Sequence, residues 1–161
     1  MDTENLSTAL PHTDYFVVLT LDARPYALRL AAVERVLRMV EITPVPRAPD
    51  IVLGIINMRG QIIPVVNLRK RFRLPERHPC LSDQLVVALT ARRLLALAVD
   101  TVLGVVEYAA AAVTAAETIL PCLAYIEGVV QLADGMVLIH DLDSCLSLQE
   151  ECALDEAIRR S

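Results

Sequence analysis

The amino-acid sequence predicts an all-β protein of two small five-stranded barrels, built by internal duplication and completed by short helices. Three observations carry that reading. The chain repeats itself, its apolar runs have strand length with turn residues between them, and its core material is aliphatic rather than aromatic. Repeats decide architecture before any motif does. Gly54 to Leu68, reading GIINMRGQIIPVVNL, has a gap-free partner 74 residues later in Gly128 to Leu142, reading GVVQLADGMVLIHDL. Upstream, Tyr26 to Val33 resembles Leu95 to Val102, and Phe16 to Thr20 echoes Val86 to Thr90. Each unit therefore reads strand, turn, strand, a further apolar strand, hairpin, short helix. The units span about residues 15–73 and 85–147.

Local signals fill in the elements. Tyr15 to Leu21 and Leu85 to Thr90 are aliphatic or β-branched runs bounded by polar residues, as buried strands are. Asp22-Ala23-Arg24-Pro25 and Ala91-Arg92-Arg93 close the first hairpin of each unit. Asp134-Gly135 signals a tight hairpin because glycine accepts the positive φ such turns need, and Arg59-Gly60 holds the matching place. Pro64 cannot donate to a ladder, so its strand is expected at an edge or bulged there. Asn67 and Asp141 stand as N-caps before Leu68 to Phe72 and Leu142 to Leu146, since their side chains accept an orphan helix amide. One more helical turn is expected within Ala109 to Glu117, and residues 148–159 read as a polar helix or frayed tail. Residues 1–14 read as a disordered tail and 150–161 as a C-terminal helix or tail. Closing each sheet into a barrel removes exposed edges.

Composition excludes several classes of function. The 161 residues are 55% hydrophobic with a mean hydropathy of +0.47, yet hold only two Phe, four Tyr and no Trp. That is too apolar for disorder through most of the chain. No uncharged run exceeds nine residues, and a membrane-spanning helix needs about twenty. A net charge of −5 argues against nucleic acid, which demands excess positive charge, and scarce aromatics remove stacking platforms. Cys80, Cys122, Cys145 and Cys152 form no Cys-x-x-Cys pair, so they read mainly as small core residues of a cytoplasmic protein. The acidic start, Met1 to Leu6, lacks the basic-then-apolar pattern of a signal peptide.

Candidate chemistry is thin. His140-Asp141-x-Asp143 brings one histidine near two carboxylates, but the aspartates are already explained as a cap and a first-turn acid, so no metal or cofactor is expected. No Gly-x-Ser-x-Gly elbow is present and the five glycines assemble no phosphate loop. An enzyme of unknown reaction is the competing class, and no convergent polar set supports it. Arg69-Lys70-Arg71-Phe72-Arg73 is the densest basic run; it reads as a solvated helix face, with a rim contact for an acidic partner as the sharper alternative. Val33, Val36, Val102 and Val105 recur at matching places in both units. An aliphatic groove between paired barrels, with an arginine nearby, suits an amphipathic helix.

These residues resemble a known family. Gly54 to Arg69 (GIINMRGQIIPVVNLR) is similar to the hallmark stretch of the CheW-like coupling proteins of bacterial chemotaxis. Ile42 to Pro49, Ala98 to Val102, Tyr125 to Gly128 and the Leu142-Asp143 stretch fit as well, so the resemblance covers about residues 15–149. It implies two SH3-like barrel subdomains and a non-catalytic adaptor. Such an adaptor would join the regulatory domain of a CheA-type histidine kinase to the cytoplasmic tips of methyl-accepting receptors in a membrane-associated array. It also implies a receptor helical hairpin lying between the barrels, with Arg59, Gly54, Val33, Val36, Val102 and Val105 as receptor-facing residues. No kinase-facing residue is assigned.

The sequence departs from the usual pattern at Glu34-Arg35, where the charge order is reversed. Asn67 stands in place of Asp, Ala27 follows Tyr26 where Gly is common, and Ala109 to Ala112 is unusually bland. These departures leave the fold expectation alone and open an alternative pathway, pilus motility or development rather than flagellar chemotaxis.

Overall fold

The computed structural model describes residues 13–115, 125–133 and 135–160. The expectations for the tail before Thr13, for Glu117, for Cys122 and for Asp134 lie outside the described residues. Eleven strands are present: β1 (Thr13–Leu21), β2 (Arg24–Arg29), β3 (Val33–Arg38), β4 (Val52–Met58), β5 (Gln61–Asn67), β6 (Gln84–Leu89), β7 (Leu94–Val99), β8 (Thr101–Ala109), β9 (Val113–Ala115), β10 (Ile126–Leu132) and β11 (Gly135–His140). Two α-helices, α1 (Leu68–Arg71) and α2 (Leu148–Arg159), and 3₁₀ turns at Leu30–Ala32, Ala110–Ala112 and Leu142–Ser144 complete the described chain.

The strands form two curled sheets of matching order, β8-β1-β2-β11-β10-β9 and β3-β6-β7-β5-β4. The duplication is legible residue by residue in their registers. Val102 pairs with Leu19 and Val105 with Val17, as Val33 pairs with Ala88 and Val36 with Val86, every partner displaced by 69 residues. Gly128 pairs with Ile139 as Gly54 pairs with Val65, displaced by 74. Even the bulges repeat, at the start of β4 and β10 and along β3 and β8. The β1–β2 hairpin of the first unit sits among the strands of the second, and β6–β7 of the second unit sits among those of the first. The two units have exchanged their leading hairpins, each joined by a parallel pair, β2 to β11 and β7 to β5.

Turn chemistry fits the positions. The Arg59-Gly60 turn has φ of 53° and 86°, and Asp22-Ala23 has 51° and 62°, the paired positive values of a type I′ hairpin turn. Asn57 Oδ1 accepts from Gly60 N at 2.8 Å and fastens the first of these. Asn67 caps α1 by accepting from Lys70 N at 3.2 Å, and Asp141 caps its 3₁₀ turn by accepting from Asp143 N. Ser147 and Glu150 form a capping box at the start of α2, so residues 148–159 are an ordered helix.

Three local expectations are corrected. The β5 strand lies inside its sheet, not at an edge, but its ladder to β7 begins only at Val65. The equivalent Leu138, which can donate, pairs with Tyr26 one residue earlier, so Pro64 costs the ladder one step rather than the strand its place. Neither sheet closes by a ladder between its outer strands among the described residues; instead the chain beyond β3 bends to bridge Thr43 to Ile55, as β9 pairs with β10. Of the three described cysteines only Cys145 is buried, its thiol pushed up to about 12 by that burial, whereas Cys80 and Cys152 are exposed.

Two clusters fill the sheets, one around Phe16, Val130 and Ile139 and one around Ile56, Ile63 and Leu85. The largest lies between them and joins Leu28, Leu68, Leu97, Leu142 and Leu154 from both units and from α2. The aliphatic excess is thus divided among three cores rather than two.

Candidate functional site

The four valines occupy two register-equivalent pairs. Val33 and Val102 are half-buried and pack against the central core shared by the two sheets. Because a bulge follows each, Val36 and Val105 share a face with them and continue it outward. These outer valines are 38% and 56% exposed, which leaves aliphatic surface in water on both flanks of the central core.

Arg59 stands apart from them. It projects from the tip of the β4–β5 hairpin, is exposed, and among the described residues has no hydrogen-bond or ion-pair partner. Its left-handed backbone is a conformation that side chains with a Cβ adopt at a cost. Gly54 is buried beneath that hairpin. A Cβ there would meet Thr43 O at 2.3 Å and Ile42 Cγ2 at 2.8 Å, so only glycine lets β4 pass this close to the 42–43 backbone. Gly128 stands against Thr114 O in the same way, though less tightly, at 3.0 Å. The structure therefore brings the valines together in pairs, keeps Arg59 on a separate prominence, and gives Gly54 a packing role.

The basic run at 69–73 is not a solvated face. Arg69 is 8% exposed and donates to Asp22 Oδ1 at 2.5 Å, to both Asp100 oxygens at 2.9 and 2.7 Å, and to Pro75 O at 2.9 Å. Arg77 joins Asp100 to Asp83. Burial works to raise the Asp83 carboxyl, yet its bonds from Arg77 and Cys80 N outweigh that and hold it below the usual carboxylate range. Arg71 donates to Glu150 at 2.6 Å and lies over the Tyr125 ring, tying α1 to α2. Sequence reading missed this network because its partners sit 31 to 79 residues away.

His140 is 2% exposed, edge-on to Phe72, which stacks on Tyr26. Burial pulls its pKa down to about 4, with the Arg71 guanidinium adding to the effect. Among the described residues no group of three or more His, Cys, Asp or Glu could hold a metal ion. Asp143 is spent otherwise, accepting from Ala91 N at 2.8 Å. No described helix is long and apolar enough to cross a membrane.

Paired SH3-like sheets around a shared core, with exposed aliphatic flanks, describe a protein that binds other proteins through its surface. Residues 15–150 match the family model of the CheW-like domain, and the chain belongs to that family. It is similar to the chemotaxis protein CheW of Klebsiella aerogenes, 25% identical over 146 residues that cover 89% of this chain and 88% of that protein. The chemotaxis protein CheW of Thermotoga maritima is 38% identical over 53% of this chain and 56% of its own length. Protein FrzA of Myxococcus xanthus is 30% identical over 60% of this chain and 59% of its own. Among solved structures, the scaffolding protein TtCheW from Thermoanaerobacter tengcongensis superposes with a TM-score of 0.78 at 28% identity, covering 88% of this chain and 96% of that one.

Proposed function

We propose that this protein is a non-catalytic adaptor that couples methyl-accepting chemotaxis receptors to a CheA-type histidine kinase in a cytoplasmic signalling array. The observation that carries this reading is the pair of exposed aliphatic flanks, Val36 and Val105, continuous with the core shared by both sheets. An amphipathic receptor helix laid along them would bury apolar faces on both sides. Arg59 adds a cation on a raised turn, where its fork suits a receptor carboxylate or helix-end carbonyls. Its strained backbone favours a role in binding, since strain held at an exposed position is usually retained for function. Gly54 serves the same site indirectly by holding the hairpin that carries Arg59.

The match to FrzA supports a second reading, in which the adaptor serves a different receptor and kinase set, of pilus motility or development. The test is reconstitution with each receptor and CheA-type kinase of the same genome. One set should show receptor control of the kinase only when this protein is added, and should lose it with Arg59→Ala while thermal melting is unchanged. Failure with every set would sink the adaptor reading, and an unaltered response to Arg59→Ala would remove that residue from the interface.

A further inference from the structure

The duplication allows the two halves to be compared position by position, and they differ at the entrance to their leading hairpins. Residues 73–83 lead into β6 and fold back over its flank, where Arg77 bonds Asp83 and Asp100 and Cys80 N donates to Asp83 at 2.8 Å. Only about 20 Å³ stays open there. By the 69-residue displacement, Asp14, Arg29, Leu30 and Ala31 are the counterparts of Asp83, Ala98, Val99 and Asp100. At that second place a hollow of about 340 Å³ is open, lined by Thr13, Tyr15 and these counterparts. Tyr15 is 52% and Leu30 36% exposed beside it.

The segment that leads into β1 is residues 1–12, outside the described residues, and by the same displacement residues 4–12 correspond to 73–81. Its composition suits this hollow and not the other. Asp14 already has its cation in Arg29 at 3.5 Å, and the counterpart of Asp100 is the apolar Ala31, so no arginine is called for. Residues 1–12 contain no Lys or Arg and offer Leu6, Ala9, Leu10 and Pro11 instead. We propose that the Leu6–Pro11 segment packs across the Tyr15–Leu30 hollow, as residues 75–80 pack across its counterpart, and completes the six-stranded half of the molecule. The hollow borders the proposed receptor surface, since Tyr15 is opposite Glu107 and Val105 is the next residue of β8 on that face. The segment would then form one wall of that surface.

The chain has no tryptophan, so Tyr15→Trp gives a single indole reporter. Acrylamide quenching of that indole is compared in the full chain, in a chain lacking residues 1–11, and in the full chain with Leu6→Asp and Leu10→Asp; the double variant reads the contact should the shortened chain fold poorly. The quenching constant is expected to rise about twofold in both altered chains, as when a covered ring opens to solvent. A peptide of residues 1–12 at millimolar concentration should reverse that rise in the shortened chain. Equal quenching in all three chains would overturn the proposal. So would protection that grows with protein concentration, because a second copy would then be the occupant.

Discussion

At Arg59, stability and binding should pull in opposite directions. The residue adopts φ 53° at the first central position of a type I′ turn, where glycine and asparagine are the comfortable choices. Arg59→Gly should therefore stabilise the fold by about 0.5–1 kcal/mol while weakening receptor-dependent kinase control as much as Arg59→Ala does. Chemical unfolding beside the reconstituted assay checks the pair, and a gain in stability with full coupling would separate the strain from function. His140 carries the opposite logic, a polar ring kept neutral by burial among Phe72, Tyr26 and Arg71. Its pKa is near 6.5 when unfolded and about 4 when folded, so the unfolded chain takes the proton first. Stability from this group is complete above pH 6.5 and drains away as pH falls towards 4, by about 3 kcal/mol in all. Val66 fills the equivalent place, which shows that the site accepts an aliphatic side chain. His140→Leu should flatten the acid limb of stability between pH 6.5 and 4 in urea titrations while leaving neutral-pH stability within about 1.5 kcal/mol. An unchanged limb would assign the acid loss to the paired carboxylates instead.

Elements are held in place by contacts between the exchanged hairpins and the strands that receive them. Arg69, at the start of α1, joins Asp22 in the β1–β2 turn to Asp100 in the β7–β8 turn, so one guanidinium pins both. Removing it leaves two carboxylates partly buried without their cation, which is costlier than losing the pair together. Arg69→Ala should cost about 3–5 kcal/mol, and Arg69→Met with Asp100→Asn should recover part of it; equal losses would mean the pair is not coupled. This network also marks where the sequence stops being legible. The strands, hairpins and caps could be read because their causes are local: aliphatic runs, a glycine at a tight turn, Asn67 directly before α1. The repeat could be read because 74 residues separate two strings of like character. The hairpin exchange could not, since either unit's leading hairpin satisfies the same pattern of buried and exposed positions. Nor could the burial of Arg69 and Arg71, because an arginine's environment depends on partners brought in by the fold. For the candidate site, the alternation of Val33 with Val36 and Val102 with Val105 was visible, but their division into inner and outer residues follows from bulges.

Across the whole molecule the charge is divided unevenly. Residues 24–79 hold eleven of the fifteen Lys and Arg but only four of the twenty Asp and Glu. Several of those cations are consumed internally, Arg69, Arg71 and Arg77 among them. Arg35, Arg38, Arg47, Arg59 and Arg73 are exposed, and among the described residues none has a hydrogen-bond or ion-pair partner. Apart from Arg73 they belong to β3, the β4–β5 turn and the loop between them, the same stretch that carries Val36 and Arg59. The strands β8 to β11 and α2 contribute mostly carboxylates. A partner helix with an acidic face would thus be drawn towards the β3 and Arg59 side while its apolar face settles on the valines. Charges on the rim of an interface mainly govern the rate of encounter and its salt dependence, whereas buried aliphatic anchors govern how long the complex lasts. Arg35→Glu with Arg38→Glu should therefore lower the association rate for receptor tips by roughly tenfold at low salt and make it nearly insensitive to added salt. Val36→Asp or Val105→Asp should leave the association rate almost unchanged and raise the dissociation rate instead. Surface plasmon resonance at several salt concentrations separates these effects. A salt-independent association rate for the unaltered protein would show that the basic side takes no part in guiding its receptor.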